Sequence, residues 1–295
     1  MTIALRSRTR QANALDGRPE PRKRFRKAGL GVLAWVIALI SFAPIAWMVL
    51  TSLHSETNAA TNPPSLFAPL TLSAYAEFFG ASTGASPIPY LENSAIASIG
   101  STVFVLILAT PAAYALSIRP VRKWSDVLFF FLSTKMLPVV AGLLPIYLIA
   151  KAAGLLDTNL LLILLYTSAN LPIAVWMMRS FLSEIPVEIL EAASIDGAGF
   201  FFKFVKIIIP LSSPGLAATA LICFIFSWNE LLFANALTSV SAGTAPVFLT
   251  SFVTSEGLFL AKVCAASVAI SLPVLIAGFA AQDKLVQGLS LGAVK

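Results

Sequence analysis

The sequence predicts an all-α membrane protein with six transmembrane helices, and three observations predict it. The 295 residues are 58% hydrophobic and 12% charged, with a mean hydropathy of +0.86, whereas a soluble domain carries about 25% charged residues. The apolar residues gather into six runs. At 1.5 Å per residue each run is long enough to cross a hydrocarbon core of about 30 Å as a helix. The net charge of +6 is also unevenly spread, since nine of the 20 Lys and Arg residues fall within residues 1–28. The length would suit one or two soluble domains, but the apolar runs occupy most of it.

Residues 1–28 hold Arg6, Arg8, Arg10, Arg18, Arg22, Lys23, Arg24, Arg26 and Lys27. They are expected to form a basic, disordered N-terminal tail. A basic tail can bind nucleic acid, but this one leads straight into an apolar run, so we read it as a topology signal. The run that follows is longer than the 7–15 residues of a signal-peptide core, which argues against a cleaved leader. Gly29–Thr51 is the first span, with Pro44 inside it as a possible kink. Residues 52–92 form a long connection with five prolines and no Lys or Arg. Within it, Leu72–Phe79 reads as a short amphipathic helix with Thr71 as its cap. His54, the only histidine, opens this connection. A lone histidine in a polar loop reads as solvated and is given no role.

The second span is Asn93–Ile118, and Arg119, Arg122 and Lys123 follow it. Val127–Ala150 is the third, with Lys135, Pro138 and Pro145 inside, and Thr158–Met178 is the fourth, ending at Arg179. Pro214–Ala236 is the fifth and Lys262–Ala281 the sixth, separated by a polar loop, residues 237–261. Residues 285–295 are a short cytoplasmic tail. With the N-terminus inside, the cytoplasmic segments hold 17 of the 20 basic residues, and the outer connections hold only Lys151 and Lys262. The positive-inside rule therefore places both termini in the cytoplasm.

One connection carries a motif. Glu191-Ala192-Ala193 is followed by Gly197, then Ile207, Ile209 and Pro210. The local structure expected is a short helix, a glycine turn and a second short helix. Pro186 suits an early helical position, Leu190, Ala193 and Ser194 share a face, and Gly197 permits a positive φ at the turn. Ala192 and Ala193 leave room for another surface to approach the backbone closely. Pro210 cannot continue the helical hydrogen-bond ladder and marks an end or a kink.

The motif resembles the cytoplasmic loop of permeases of ABC importers, Glu-Ala-Ala-x3-Gly-x9-Ile-x-Leu-Pro, with every spacing matched and Ile209 where Leu is usual. The charge bias independently puts this loop in the cytoplasm. Further resemblance is to the carbohydrate branch of that family. It rests on Tyr75, Asn93-Ser94, Ala112-Ala113-Tyr114-Ala115-Leu116, Lys135-Met136-Leu137-Pro138, Trp228-Asn229-Glu230 and the tail Gly288-x3-Gly292-Ala293-Val294-Lys295. The resemblance implies a type I importer permease fold over residues 29–284, with a coupling loop at about 181–210. It implies a bacterial inner-membrane subunit that imports a sugar or polyol by alternating access. Its partners would be a second homologous permease, an ATPase dimer and an extracytoplasmic solute-binding protein. The coupling residues implied are Glu191, Ala192, Ala193, Asp196, Gly197 and Pro210.

The chain carries no Gly-x4-Gly-Lys-Ser/Thr phosphate loop. ATP and Mg are therefore expected on the partner ATPase, with no cofactor or metal in this chain, and the chain is expected to be a transport subunit rather than an enzyme. Cys223 and Cys264 lie in apolar runs and read as small packing residues. An intramembrane enzyme would need a pair such as Ser and His, two facing Asp residues or a zinc motif, and no central span holds a His or an Asp. An ion-coupled secondary transporter would place ionisable groups near the midplane, where Lys135 and Glu230 are the candidates. That alternative leaves the Glu-Ala-Ala spacing unexplained. A non-sugar ABC importer is a further alternative.

Polar residues inside spans nominate a substrate pathway: Lys135, Asn170, Trp228, Asn229 and Glu230. An amide beside an indole suits a sugar, whose hydroxyls pair with the amide and whose apolar side stacks on the ring. The competing reading is that Asn170 and Asn229 tie helices together, that Trp228 lies at the membrane interface, or that Lys135 pairs with Glu230.

Overall fold

A computed structural model describes residues 21–61, 67–80, 86–118, 121–254 and 257–293. The first 20 residues of the expected basic tail, and residues 294–295, lie outside the described residues. The described residues are all-helical but for a hairpin of two-residue strands, β1 (Val253–Thr254) paired with β2 (Gly257–Leu258). Among the described residues, four helices are long and apolar enough to span a membrane. Two helix pairs, each sharply bent, bring the number to six if each pair is one span. The chain is a multi-pass membrane protein.

Helix α1 (Pro21–Ser52) begins eight residues before the expected first span and runs on through Pro44. The connection to the second span follows with α2 (Glu56–Ala59) and α3 (Ser73–Phe78). The N-cap of α3 is Leu72, not Thr71 as expected, and no side chain caps it; the Thr71 hydroxyl instead accepts from the Ser73 amide at 3.2 Å, closing a local turn just before the helix. His54 is 2% exposed and so buried, not solvated. The chain folds back over it, with the Thr71 amide on the Leu53 carbonyl and Tyr75 Oη 2.8 Å from Ser52 Oγ.

The second span is α4 (Ile88–Ser117) and the fourth is α7 (Asn159–Leu182). They form the centre of the fold. Ala97, Ala109 and Ala113 of α4 and Ala174 of α7 are fully buried. Small residues of this kind let helix backbones approach closely in a membrane, where dispersion rather than the hydrophobic effect drives packing. Val105, Leu116, Val175 and Cys223 fill the space around Ala109 and Ala174.

The third span departs from expectation. It is not one helix over Val127–Ala150 but two, α5 (Trp124–Ser133) with its 3₁₀ extension Thr134–Met136, and α6 (Val139–Ala152), bent by 87°. Proline excludes the α conformation from the residue before it, and Leu137 accordingly takes φ −69, ψ 132. Pro138, with ψ 111, is extended as well. Pro145, inside α6, leaves that helix continuous.

The fifth span departs too. After the loop helices α8 (Val187–Ile195) and α9 (Phe200–Lys203), a π-helical turn, Phe204–Ile208, leads into the short α10 (Ile209–Leu211). Pro210 removes a donor from the ladder, and the turn before it opens into π form. The segment Phe200–Leu211 meets α11 (Ser213–Trp228) at 73°. Helix α11 stops at Trp228, eight residues short of the expected end. A separate helix, α12 (Leu232–Leu237), follows. The Glu230 carboxylate accepts from the amides of Phe233 and Ala234, so it caps α12 and stabilises the break. Helix α13 (Ala245–Thr250) lies in the connection between the fifth and sixth spans. Helix α14 (Leu260–Ala293) is the sixth span, and it continues as helix through most of the segment expected to be a tail.

Candidate functional site

The Glu-Ala-Ala loop is built as a rigid projection. Helix α8 begins after Pro186, which stands at its N-cap. It buries Leu190 against Ala113, Met178 and Leu182, at the ends of α4 and α7, and against Ile208 of the π-helical turn. Its other faces are open. Glu191, Ala192, Ser194, Asp196 and Gly197 are exposed, Ala193 is half-buried, and Ile195 is 87% exposed. The end of α8 is a Schellman closure. Gly197 takes φ +81, its amide bonds the Ser194 carbonyl, and the Ala198 amide bonds the Ala193 carbonyl at 2.9 Å. Asp196 is the C-cap residue.

The second arm is locked to the first. Lys203 Nζ donates to Ser194 Oγ at 2.9 Å, and Ser194 Oγ donates to the Leu190 carbonyl. Phe200 and Phe204 stack on each other and meet Tyr114 edge-on, which fixes the second arm against α4. Beneath the loop, the Arg179 guanidinium lies 3.7 Å from the Trp124 ring centroid, and its Nε reaches the Leu116 carbonyl. Three helix ends therefore hold one base. Pro210, at the far end of the motif, is exposed and sits in the bend leading to α11.

The pathway candidates are placed at one level but not in one pocket. Lys135 stands eleven residues beyond Trp124, and Asn170 eleven beyond Asn159. Each is about 16 Å along its helix, roughly half of a hydrocarbon core. Lys135 Nζ donates to the Ala169 carbonyl at 2.7 Å and lies at the open break of the third span. Asn170 is buried and donates to Ser227 Oγ, which also receives Ser101 Oγ, so one polar seam joins α7, α11 and α4. Trp228 is 3% exposed and its indole N–H donates to the Ile270 carbonyl, tying α11 to α14. Asn229 is exposed and donates to the Ile225 carbonyl, closing the end of α11. Glu230 caps α12 as described, so Lys135 and Glu230 each have other partners. Among the described residues no group of three or more His, Cys, Asp or Glu could hold a metal.

Replacing Asn170 with Leu is expected to lower the stability of the folded chain by about 0.6–1.7 kcal/mol, the range of single inter-helix hydrogen bonds in membranes. The check is thermal inactivation in detergent beside Asn229→Leu, whose exposed contact is within its own helix. Equal effects from the two would contradict the seam.

The sequence reading missed Ser101 and Asp157. Ser101 gives no signal because helical serines commonly bond their own backbone. Asp157 sits in the turn before α7 with φ +56, and its carboxylate receives the amides of Ser239, Val240, Ser241 and Ala242 and the Ser239 hydroxyl. Burial pushes its carboxyl up, but the hydrogen bonds from Ser239, Ser241 and Ala242 outweigh this and hold it well below the usual carboxylate range. With the folded value below the unfolded one, this stabilisation is present above the ordinary carboxylate range and is lost only in stronger acid.

Residues 105–290 match the family described as the binding-protein-dependent transport system inner membrane component. The chain is 32% identical over 267 residues to the trehalose transport system permease protein of Mycobacterium tuberculosis, covering 90% of this chain and 96% of that one. It is 30% identical over 276 residues to the diacetylchitobiose uptake system permease protein of Streptomyces coelicolor, covering 93% and 99%. Among solved structures, it resembles a chain of a bacterial ABC transporter involved in import of the acidic polysaccharide alginate. The TM-score is 0.72 at 24% identity, over 91% of this chain and 99% of that one.

Proposed function

Because this chain belongs to the family of binding-protein-dependent transport system inner membrane components, and is an ABC-importer permease of the carbohydrate type, we propose that it imports a sugar or polyol across the bacterial inner membrane by alternating access. It works with a second homologous permease, an ATPase dimer that binds ATP and Mg, and an extracytoplasmic solute-binding protein. Both termini lie in the cytoplasm. One observation carries the reading: a stiff Glu-Ala-Ala loop, buried on its Leu190 face and exposed from Glu191 to Gly197, presents the only part of the described chain that matches an ATPase-docking motif.

In this mechanism the loaded binding protein docks on the outer connections and ATP draws the ATPase dimer together. The ATPase pulls on the exposed loop, where Glu191 and Asp196 make polar contacts and Ala192 and Ala193 permit close approach. The loop is braced on α4 and α7 by Leu190 and the aromatic trio, so displacement reaches the central pair of spans rather than bending the loop. The polar groups at mid-depth, Lys135, Asn170, Asn229 and Glu230, with Trp228 behind them, line or shape the route.

The test is uptake by cells expressing the complete set of subunits, against disaccharides, monosaccharides, polyols and amino acids. A sugar or polyol taken up only when all subunits are present is the expected result. Amino-acid uptake instead would keep the importer and discard the carbohydrate reading.

A further inference from the structure

The second arm, which returns from the Glu-Ala-Ala loop to the fifth span, does not continue the line of that span. Phe200–Leu211 meets α11 at 73°. At 1.5 Å per residue the arm is about 18 Å long, and only about 5 Å of that runs along the α11 axis. Helix α11 begins at Ser213 and is apolar from there to Trp228. Membrane spans tilt by about 20° on average. The arm therefore runs along the bilayer surface, close to the depth at which α11 leaves the hydrocarbon, rather than away from it.

One face of the arm is taken up by the protein. Phe200, Phe204 and Ile208, four residues apart, turn inward: both rings meet Tyr114, and Ile208 is 1% exposed. The faces left over carry Phe201, 76% exposed, and Phe202, 57% exposed, with Lys206 exposed one turn beyond Phe202. Leu211, at the elbow, is exposed as well. Lys203 points the other way and bonds Ser194 of the first arm. The arm holds no Asp or Glu, so its only charges are cationic. Two adjacent phenylalanines left in water forfeit most of the gain that burying a ring brings. At the boundary between headgroups and acyl chains the same trio is well placed. The rings enter the apolar edge, and the lysine ammonium reaches the phosphates on its flexible stem.

We propose that the second arm is a membrane-surface anchor: Phe201 and Phe202 sit in the boundary layer of the bilayer, and Lys206 contacts phospholipid phosphate. The anchor holds the exposed face of α8 at a fixed height from the membrane. It requires only the bilayer in which the spans stand, and it is independent of which solute the chain moves.

The test is spin-label accessibility in the complete complex, reconstituted in nanodiscs of phosphatidylcholine and phosphatidylglycerol. Phe201→Cys carries the label. Val240→Cys, at a site 88% exposed in the connection before the sixth span, is the aqueous reference. The chain with neither change gives the background from Cys223 and Cys264. Collisions with dissolved oxygen, relative to those with a water-soluble nickel complex, should be severalfold more frequent at Phe201→Cys than at Val240→Cys. Equal ratios at the two sites overturn the proposal. A Phe201→Cys label shielded from both reagents also overturns it and assigns the arm to the ATPase interface. Should Phe201→Cys fail to assemble, Phe202→Cys gives the same reading: a lipid-type ratio supports the anchor and a water-type ratio overturns it. Lys206→Glu leaves the inward face intact and should lower the ratio at Phe201→Cys toward the aqueous value. An unchanged ratio overturns the phosphate contact.

Discussion

Replacing Gly197 with Asp is expected to reduce uptake about a hundredfold while the protein stays in the membrane at close to its normal level. The fold tolerates the change because an added Cβ meets nothing within 4 Å. A left-handed residue other than glycine costs about 1–2 kcal/mol, least for Asn and Asp. The Schellman closure at Ala198 and Ser194 is therefore weakened rather than lost. The larger effect falls on docking. The turn lies on the exposed side of α8, between Asp196 and Ala198, and a second carboxylate beside Asp196 changes both the shape and the charge of a surface that must meet the ATPase closely. A misplaced charge at an interface costs several kcal/mol, and about 3 kcal/mol corresponds to roughly a hundredfold. Gly197→Ala, which adds the strain without the charge, should lose about tenfold. Substrate uptake measured beside membrane abundance checks this, and full transport at normal abundance would remove the loop from the coupling role.

Enlarging Gly215 should give the opposite signature. A Cβ at this position, near the start of α11, would lie 2.4 Å from Phe181 Cγ and 2.7 Å from its Cβ. The second contact is close to the Phe181 backbone, so rotating the ring does not relieve it. Overpacking of this kind costs typically about 1–3 kcal/mol. Gly215→Val should therefore cut the amount of chain in the membrane severalfold, since losses of that size change abundance. The transport per remaining complex should change little. Gly278→Ala, with nothing within 4 Å of the added atom, is the neutral control. Equal abundance of Gly215→Val and Gly278→Ala would show that α7 and α11 do not approach as closely as described.

The sequence was most legible where one residue type has one local meaning. The glycine turn at Gly197 follows directly from backbone conformation, whereas the cap expected at Thr71 falls one residue early because the helix starts after Leu72. The six apolar runs followed from composition and length. It was less legible where a proline must choose between kink and break. Pro44 and Pro145 leave their helices continuous, whereas Pro138 divides the third span because Leu137 becomes extended before it. Periodicity cannot separate these cases, since each sits in an apolar run. The end of the fifth span was misplaced because Glu230 looked like a buried charge when it serves as a cap. Asp157 was overlooked because its partners lie more than 80 residues away. A carboxylate in a turn carries no sign of what will fold against it, and His54 was judged from the polarity of its neighbours rather than from the chain that covers it.

The most direct test of the central claim, that ATP hydrolysis on a partner drives import through this chain, is sugar uptake into proteoliposomes holding the complete purified complex. ATP is supplied on the ATPase face, loaded binding protein on the other, and the proton gradient is dissipated with an ionophore. The account predicts uptake that requires both ATP and binding protein and is unaffected by the ionophore. Uptake that continues without ATP and collapses with the ionophore would contradict it and make the chain an ion-coupled transporter.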